Sequence, residues 1–151
     1  MSVSARLEQL GVVLPQVVAP LAAYVPALRT GNLVYTAGQL PIEGGKLART
    51  GKVGAEVGPE EAKVLARICA LNALAAVDSL VGIEAVTQVV KVVGFVASAP
   101  GFNGQPGVVN GASELLAEVF GDKGAHARSA VGVSELPLDA PVEVELIVEV
   151  G

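Results

Sequence analysis

The stretch from Thr87 to Ala97, Thr-Gln-Val-Val-Lys-Val-Val-Gly-Phe-Val-Ala, is apolar on both faces and carries Lys91 as its one charge. Its β-branched residues lose side-chain freedom in a helix, and a strand with two apolar faces has to be covered on both, so the run reads as a central strand. Two further strands close the chain, His126 to Val133 and Val142 to Val150, joined by Leu136-Pro137-Leu138-Asp139-Ala140-Pro141. In the last of them Val142, Val144, Leu146 and Val148 alternate with Glu143, Glu145, Ile147 and Glu149, the period of a strand with one buried face. Earlier in the chain, Gly31-Asn32 introduces Leu33 to Ala37, a β-rich run ending at Gly38, and Pro41 to Gly45 supplies the next turn, so a strand leading into a hairpin is expected there.

Helical periodicity marks the covering layer. Gly58-Pro59-Glu60-Glu61 places proline in a first turn with carboxylates at the positive end of the helix dipole, and Gly82 ends a helix predicted from Pro59 to Val81. On the helical wheel Glu60, Glu61, Lys63, Arg67, Asn72, Asp78 and Ser79 share one half, while Ala62, Leu65, Ala66, Cys69, Ala73, Ala76 and Val77 fill the other. Those small apolar residues suit a helix lying closely across a sheet. A second helix is predicted from Val108 to Phe120 after a turn-rich loop from Pro100 to Gly107, and a short one over Ser2 to Leu10. Strands interspersed with two main helices, without strict βαβα alternation, give an α+β class: one domain, residues 1–151, with a sheet covered on one face.

The other face needs a partner. Hydrophobic residues make up 52% of the chain and charged ones 17%, and the mean hydropathy is +0.59, so burial of apolar surface between subunits is expected. Ten Lys and Arg against fifteen Asp and Glu give a net charge of −5, and there are no Trp, two Tyr and three Phe. A phosphate backbone is repelled on average and base-stacking platforms are scarce, which argues against nucleic acid as a partner. Leu10 to Leu28 is a long uncharged stretch, but Pro15, Pro20 and Pro26 break it as a membrane helix; it reads as extended, buried chain, with no membrane partner expected. The first residues lack the basic and apolar regions of a signal peptide, so a cytoplasmic location is the expectation. One cysteine, Cys69, and one histidine, His126, make neither an internal disulfide nor a His-rich zinc site, and no metal is expected.

Few residues are placed for chemistry. Gly101, Gly104 and Gly107 have neither dinucleotide-binding nor P-loop spacing and read as punctuation, and Cys69, set among Ala and Leu, reads as a small buried hydrophobe. Arg128 stands out, because its neighbours Ala127, Ser129, Ala130, Val131 and Gly132 are small or apolar, and a guanidinium there has to find an anion. Two partners fit: a carboxylate on the neighbouring closing strand, or a ligand carboxylate held bidentately by the planar fork. Glu143 and Glu145 share a face and cannot both be paired by one arginine. His126 has the parity of Arg128 and fits either acid–base work or a surface position.

Several separated pieces, in order, carry a resemblance. Tyr24, Gly31-Asn32, Val34-Tyr35-Thr36-Ala37-Gly38-Gln39-Leu40-Pro41, Ala127-Arg128-Ser129, Leu136-Pro137 and Val142-Glu143-Val144-Glu145 together resemble the YjgF/YER057c/UK114 family, also called the Rid family, over Tyr24 to Val150. The resemblance implies a chorismate-mutase-like α+β fold, a mixed sheet with two helices on one face, assembled as a homotrimer with ligand clefts between subunits. It also implies hydrolysis of reactive 2-imino acids, or their enamine tautomers, to 2-oxo acids and ammonia with no cofactor. On this pattern Arg128 holds the carboxylate of a small-molecule substrate, Glu143 orients the attacking water and manages its proton, Gly38 offers its backbone N–H, Tyr24 lines the cleft from an adjacent chain, and Asn110 matches the cleft asparagine.

The sequence departs from the pattern at Ala37, where the family has Ser, at Ala130, where it often has Cys, and in a longer Pro- and Gly-rich segment over 98–110. A protonated imine is already electrophilic, so orientation and a modest carboxylate base suffice, provided Glu143 is not tightly paired with Arg128. The competing expectation is a non-catalytic trimer that binds 2-oxo acids and related carboxylates through Arg128.

Overall fold

The computed structural model describes residues 1–20 and 22–151; Leu21, within the stretch expected to run extended and buried, lies outside them. Helix α1 spans Val3–Leu10, with the Ser2 hydroxyl accepting from the Ala5 N–H as its cap. Strands β1 (Ala27–Thr30) and β2 (Leu33–Thr36) form a hairpin through Gly31-Asn32, and β3 (Ile42–Glu43) and β4 (Lys46–Leu47) a second, shorter one. Helix α2 (Pro59–Val81), strand β5 (Val86–Ala97), helix α3 (Gln105–Phe120), strand β6 (Ala127–Val133) and strand β7 (Val142–Val150) complete the chain, with short 3-10 turns between them.

The main sheet has the order β1-β2-β7-β5-β6, with β5 and β6 parallel and the remaining pairs antiparallel. Strand β5 lies in its interior, as its two apolar faces require, and α2 and α3 pack side by side over one surface of the sheet. Val142, Val144, Leu146 and Val148 of β7 point into that layer and are fully or almost fully buried with Val89, Val92 and Val96 of β5. Gly111 of α3 sets the distance between the helices: a methyl group there would overlap the Lys63 backbone oxygen of α2.

The opposite surface of the sheet stays open. Leu28, Tyr35 and Val131 are 60%, 41% and 41% exposed, in register with half-buried Ile147 and Phe95, so a sheet face rich in apolar groups meets solvent in the isolated chain.

Several expectations need correction. Residues 11–20 and 22–26 have no helix, but they are half-buried to exposed where a buried run was expected, because they cross the outside of the molecule. Helix α3 starts at Gln105, inside the expected loop, since Pro106 suits a first turn and the Gln105 amide donates to Ser98 Oγ (3.1 Å) and the Phe102 carbonyl (2.9 Å). Asn72, expected on the polar half of α2, is 1% exposed and donates through Nδ2 to the carbonyls of Leu40 and Ile42, both at 3.0 Å.

Candidate functional site

Arg128 leaves β6 on the helix-covered side of the sheet: its register partner on β5 is the buried Val92, and its guanidinium reaches α3. There Nη1 donates to Asn110 Oδ1 at 2.7 Å and to Ser113 Oγ at 3.3 Å, and Nη2 donates to the Pro106 carbonyl at 3.4 Å. These acceptors are neutral. Among the described residues no carboxylate oxygen lies within 4.0 Å of Arg128. The internal pair that the sequence left open does not form, because β5 lies between β6 and β7 and the two closing strands are not neighbours. The guanidinium is therefore oriented by hydrogen bonds while its charge stays uncompensated at the protein surface, the condition for capturing an anion.

His126 supports this arrangement from behind. Its Nδ1 lies 2.6 Å from the Gly124 carbonyl, which can only accept, so Nδ1 carries the proton and Nε2, 2.9 Å from Ser113 Oγ, is the acceptor in the neutral ring. The chain Gly124, His126, Ser113, Arg128 fixes the serine hydroxyl so that its oxygen faces the guanidinium. Ser113 escaped the sequence reading; its signal is position, three residues after Asn110 on the same face of α3.

Glu143 occupies the other side. It alternates with buried Val142 and Val144, so it projects from the open surface of the sheet. Partial burial and repulsion from Glu145 hold its carboxyl above the usual carboxylate range, which makes it a stronger base than a solvated glutamate. The local backbone explains what it meets. Strand β2 pairs with β7 up to Tyr35 opposite Ile147; there the Thr36 hydroxyl accepts from the Leu146 N–H at 2.9 Å, and pairing resumes between Gln39 and Val144. Gly38 sits at the end of this detour, against the Glu143 carboxylate: a methyl group there would overlap Oε2. Among the described residues nothing accepts from the Gly38 N–H, which is half-buried next to that carboxylate. Tyr24 lines a crevice of about 20 Å³ with Gly38 and Gln39 of its own chain.

The structure thus brings together Arg128 with Asn110, Glu143 with Gly38, and Gly38 with Tyr24 of the same chain, but it does not join Arg128 to Glu143. Within one chain they are separated by β5 and face opposite sides of the sheet, so no single small molecule touches both. Among the described residues no cluster of three or more His, Cys, Asp or Glu side chains is arranged to hold a metal. Cys69 is fully buried on α2 with its thiol pushed up by desolvation, a packing residue as expected.

Comparison with known proteins agrees with this architecture. The family model described as Endoribonuclease L-PSP matches residues 15–150. Protein TCP17 of Trypanosoma cruzi is 41% identical over 99% of this chain and 94% of its own. A 2-iminobutanoate/2-iminopropanoate deaminase of Dermatophagoides farinae is 33% identical over 85% of this chain and 87% of its own. The crystal structure of Atu1372, an Agrobacterium tumefaciens protein of unknown function, superimposes with a TM-score of 0.91 at 46% identity, covering 99% of this chain and 92% of that one. With its mixed α+β sheet and a family match over nearly its whole length, the chain belongs to the YjgF/YER057c/UK114 family, the family of the L-PSP model.

Proposed function

We propose that this protein hydrolyses small 2-imino acids, or their enamine tautomers, to 2-oxo acids and ammonia, at sites shared between the subunits of a homotrimer. The observation that carries the proposal is the Arg128 guanidinium, held by Asn110, Ser113 and the Pro106 carbonyl with its charge unpaired at the surface. A planar fork presented in this way suits a carboxylate, which every 2-imino acid carries. The D. farinae relative bears the name of a deaminase of this chemical class.

In the proposed reaction the carboxylate docks on Arg128 of one subunit, and the iminium carbon comes to lie over Gly38 and Glu143 of the next. Glu143 accepts a proton from water as the water oxygen bonds to that carbon, and the Gly38 N–H contributes a hydrogen bond to the ligand. The proton held by Glu143 passes to the amino group of the tetrahedral adduct; the C–N bond then breaks and ammonia leaves as Glu143 takes up the hydroxyl proton and the carbonyl forms, and that proton is passed on to the ammonia. Water is the sole co-reactant, and no electron changes hands. The raised carboxyl of Glu143 suits this work, since a stronger base takes the proton of water more readily. The open sheet face, with Leu28, Tyr35 and Val131 exposed, offers the surface on which subunits would pack. RNA hydrolysis, suggested by the name of the family model, finds less support in a chain of net charge −5 with five aromatic residues.

The test generates a 2-imino acid in situ with an amino-acid oxidase and follows its decay and the release of ammonia. The wild type accelerates both; Arg128→Ala lowers the efficiency about a hundredfold or more, the loss expected when charge-assisted hydrogen bonds to the substrate disappear. Binding of 2-oxo acids without turnover would instead identify a carboxylate-binding protein.

A further inference from the structure

We propose that the chain carries a second ligand site, in a cavity between residues 15–19 and the β3–β4 hairpin, which takes a small uncharged molecule with an apolar body and one hydrogen-bond donor. The cavity measures about 600 Å³, within the range of small-molecule sites. Its walls come from Pro15, Val17, Val18, Ile42, Leu47 and Leu138, and none of its lining residues is charged. Arg128 and Glu143 take no part in it.

The polar feature at its base is Asn72. This side chain is 1% exposed, and both Nδ2 protons are committed to the Leu40 and Ile42 carbonyls. Those two acceptors dictate the orientation of the amide, because turning it over would set Oδ1 against two carbonyl oxygens. Oδ1 is therefore directed away from them and toward the cavity that Asn72 lines, and among the described residues no donor reaches it. No buried side-chain oxygen of the described residues is left without a partner, so this oxygen is open to the cavity rather than sealed in the core; a molecule that fills the cavity displaces water from it and binds best when it brings a hydroxyl or amide N–H in exchange. A carboxylate brings only acceptors to an acceptor.

The mouth is built to the same end. Leu138 lines the cavity with a φ of +59°, in the left-handed region that a leucine adopts at a cost, and its side chain is 59% exposed. The turn is held in that conformation by Lys52, whose Nζ bonds Asp139 Oδ1 and Glu135 Oε2, each at 2.7 Å. An exposed leucine fixed at the rim gives an entering apolar body a surface to cover.

The test titrates the full-length protein with 4-methylphenol, toluene and 4-methylbenzoate, following backbone and side-chain amide resonances. The proposal expects 4-methylphenol to shift the Asn72 side-chain amide and the Gly44 and Gly45 amides saturably, about tenfold more tightly than toluene, with 4-methylbenzoate not saturating. Gln16→Trp, a change at an exposed lining residue that places a bulky ring at the cavity, should abolish those shifts. Equal binding of 4-methylphenol and toluene, preference for 4-methylbenzoate, shifts elsewhere, an unaffected Gln16→Trp variant, or no saturable binding would each overturn it.

Discussion

Glu143 illustrates how a single residue can cost stability to gain basicity. Its carboxyl is held above the ordinary range by partial burial and by Glu145, so the folded protein binds its proton more tightly than the unfolded chain does. Stability from this group is present at low pH and is lost as pH rises through the folded value, since the native state then gives up a proton it held more strongly. Glu143→Gln should accordingly unfold at higher denaturant concentration than wild type at pH 7, with the difference vanishing below about pH 4, where the glutamate is protonated in both states. Chemical denaturation at the two pH values measures this, and the same variant should lose most imine hydrolysis, about a hundredfold or more. Gly38→Ala tests the neighbour: the added methyl meets Glu143 Oε2, so the carboxylate must move, and activity should fall while the fold persists. A crystal structure of that variant would show the displaced carboxylate; an unmoved one with full activity would contradict the reading. At this scale the sequence was partly legible. The sequence marks Arg128, Glu143, Gly38 and Asn110 as candidates but not Ser113, because a serine on a helix face carries no mark until His126 is seen to bond it.

The elements best read from sequence are those whose pattern is local. Pro59–Val81 and Val142–Val150 match expectation at both ends, because one is bounded by a first-turn proline and a glycine and the other alternates strictly. Strand β1 has no mark in the sequence: Arg29 and Thr30 are exposed, no alternation runs through the four residues, and only pairing with β2 makes them a strand. Its chemistry assigns Asn72 to the polar side of α2, whereas the Leu40 and Ile42 carbonyls that it meets arrive from a segment about thirty residues away. Packing between elements yields its own prediction. Gly111→Ala would drive a methyl group into the Lys63 backbone oxygen, forcing α2 and α3 apart. A destabilisation of about 2 kcal/mol, typical of overpacking, should appear as a lowered urea midpoint with an unchanged slope.

For the whole molecule the decisive fact is one of topology. Arg128 and Glu143 both stand on strands near the end of the chain, and their proximity in sequence suggests a shared pocket. The interposed β5 and the alternation of side chains put them on opposite surfaces of the sheet, a relation that depends on register and is invisible in a linear reading. If both serve one reaction, each site must draw them from different copies of the chain. The direct test mixes two inactive variants, Arg128→Ala and Glu143→Gln, under conditions that exchange subunits, with the exchange verified by native mass spectrometry. Random cyclic trimers from an equal mixture have one intact pairing in four, so about a quarter of wild-type imine hydrolysis should return. Exchanged trimers that stay inactive would contradict the shared site.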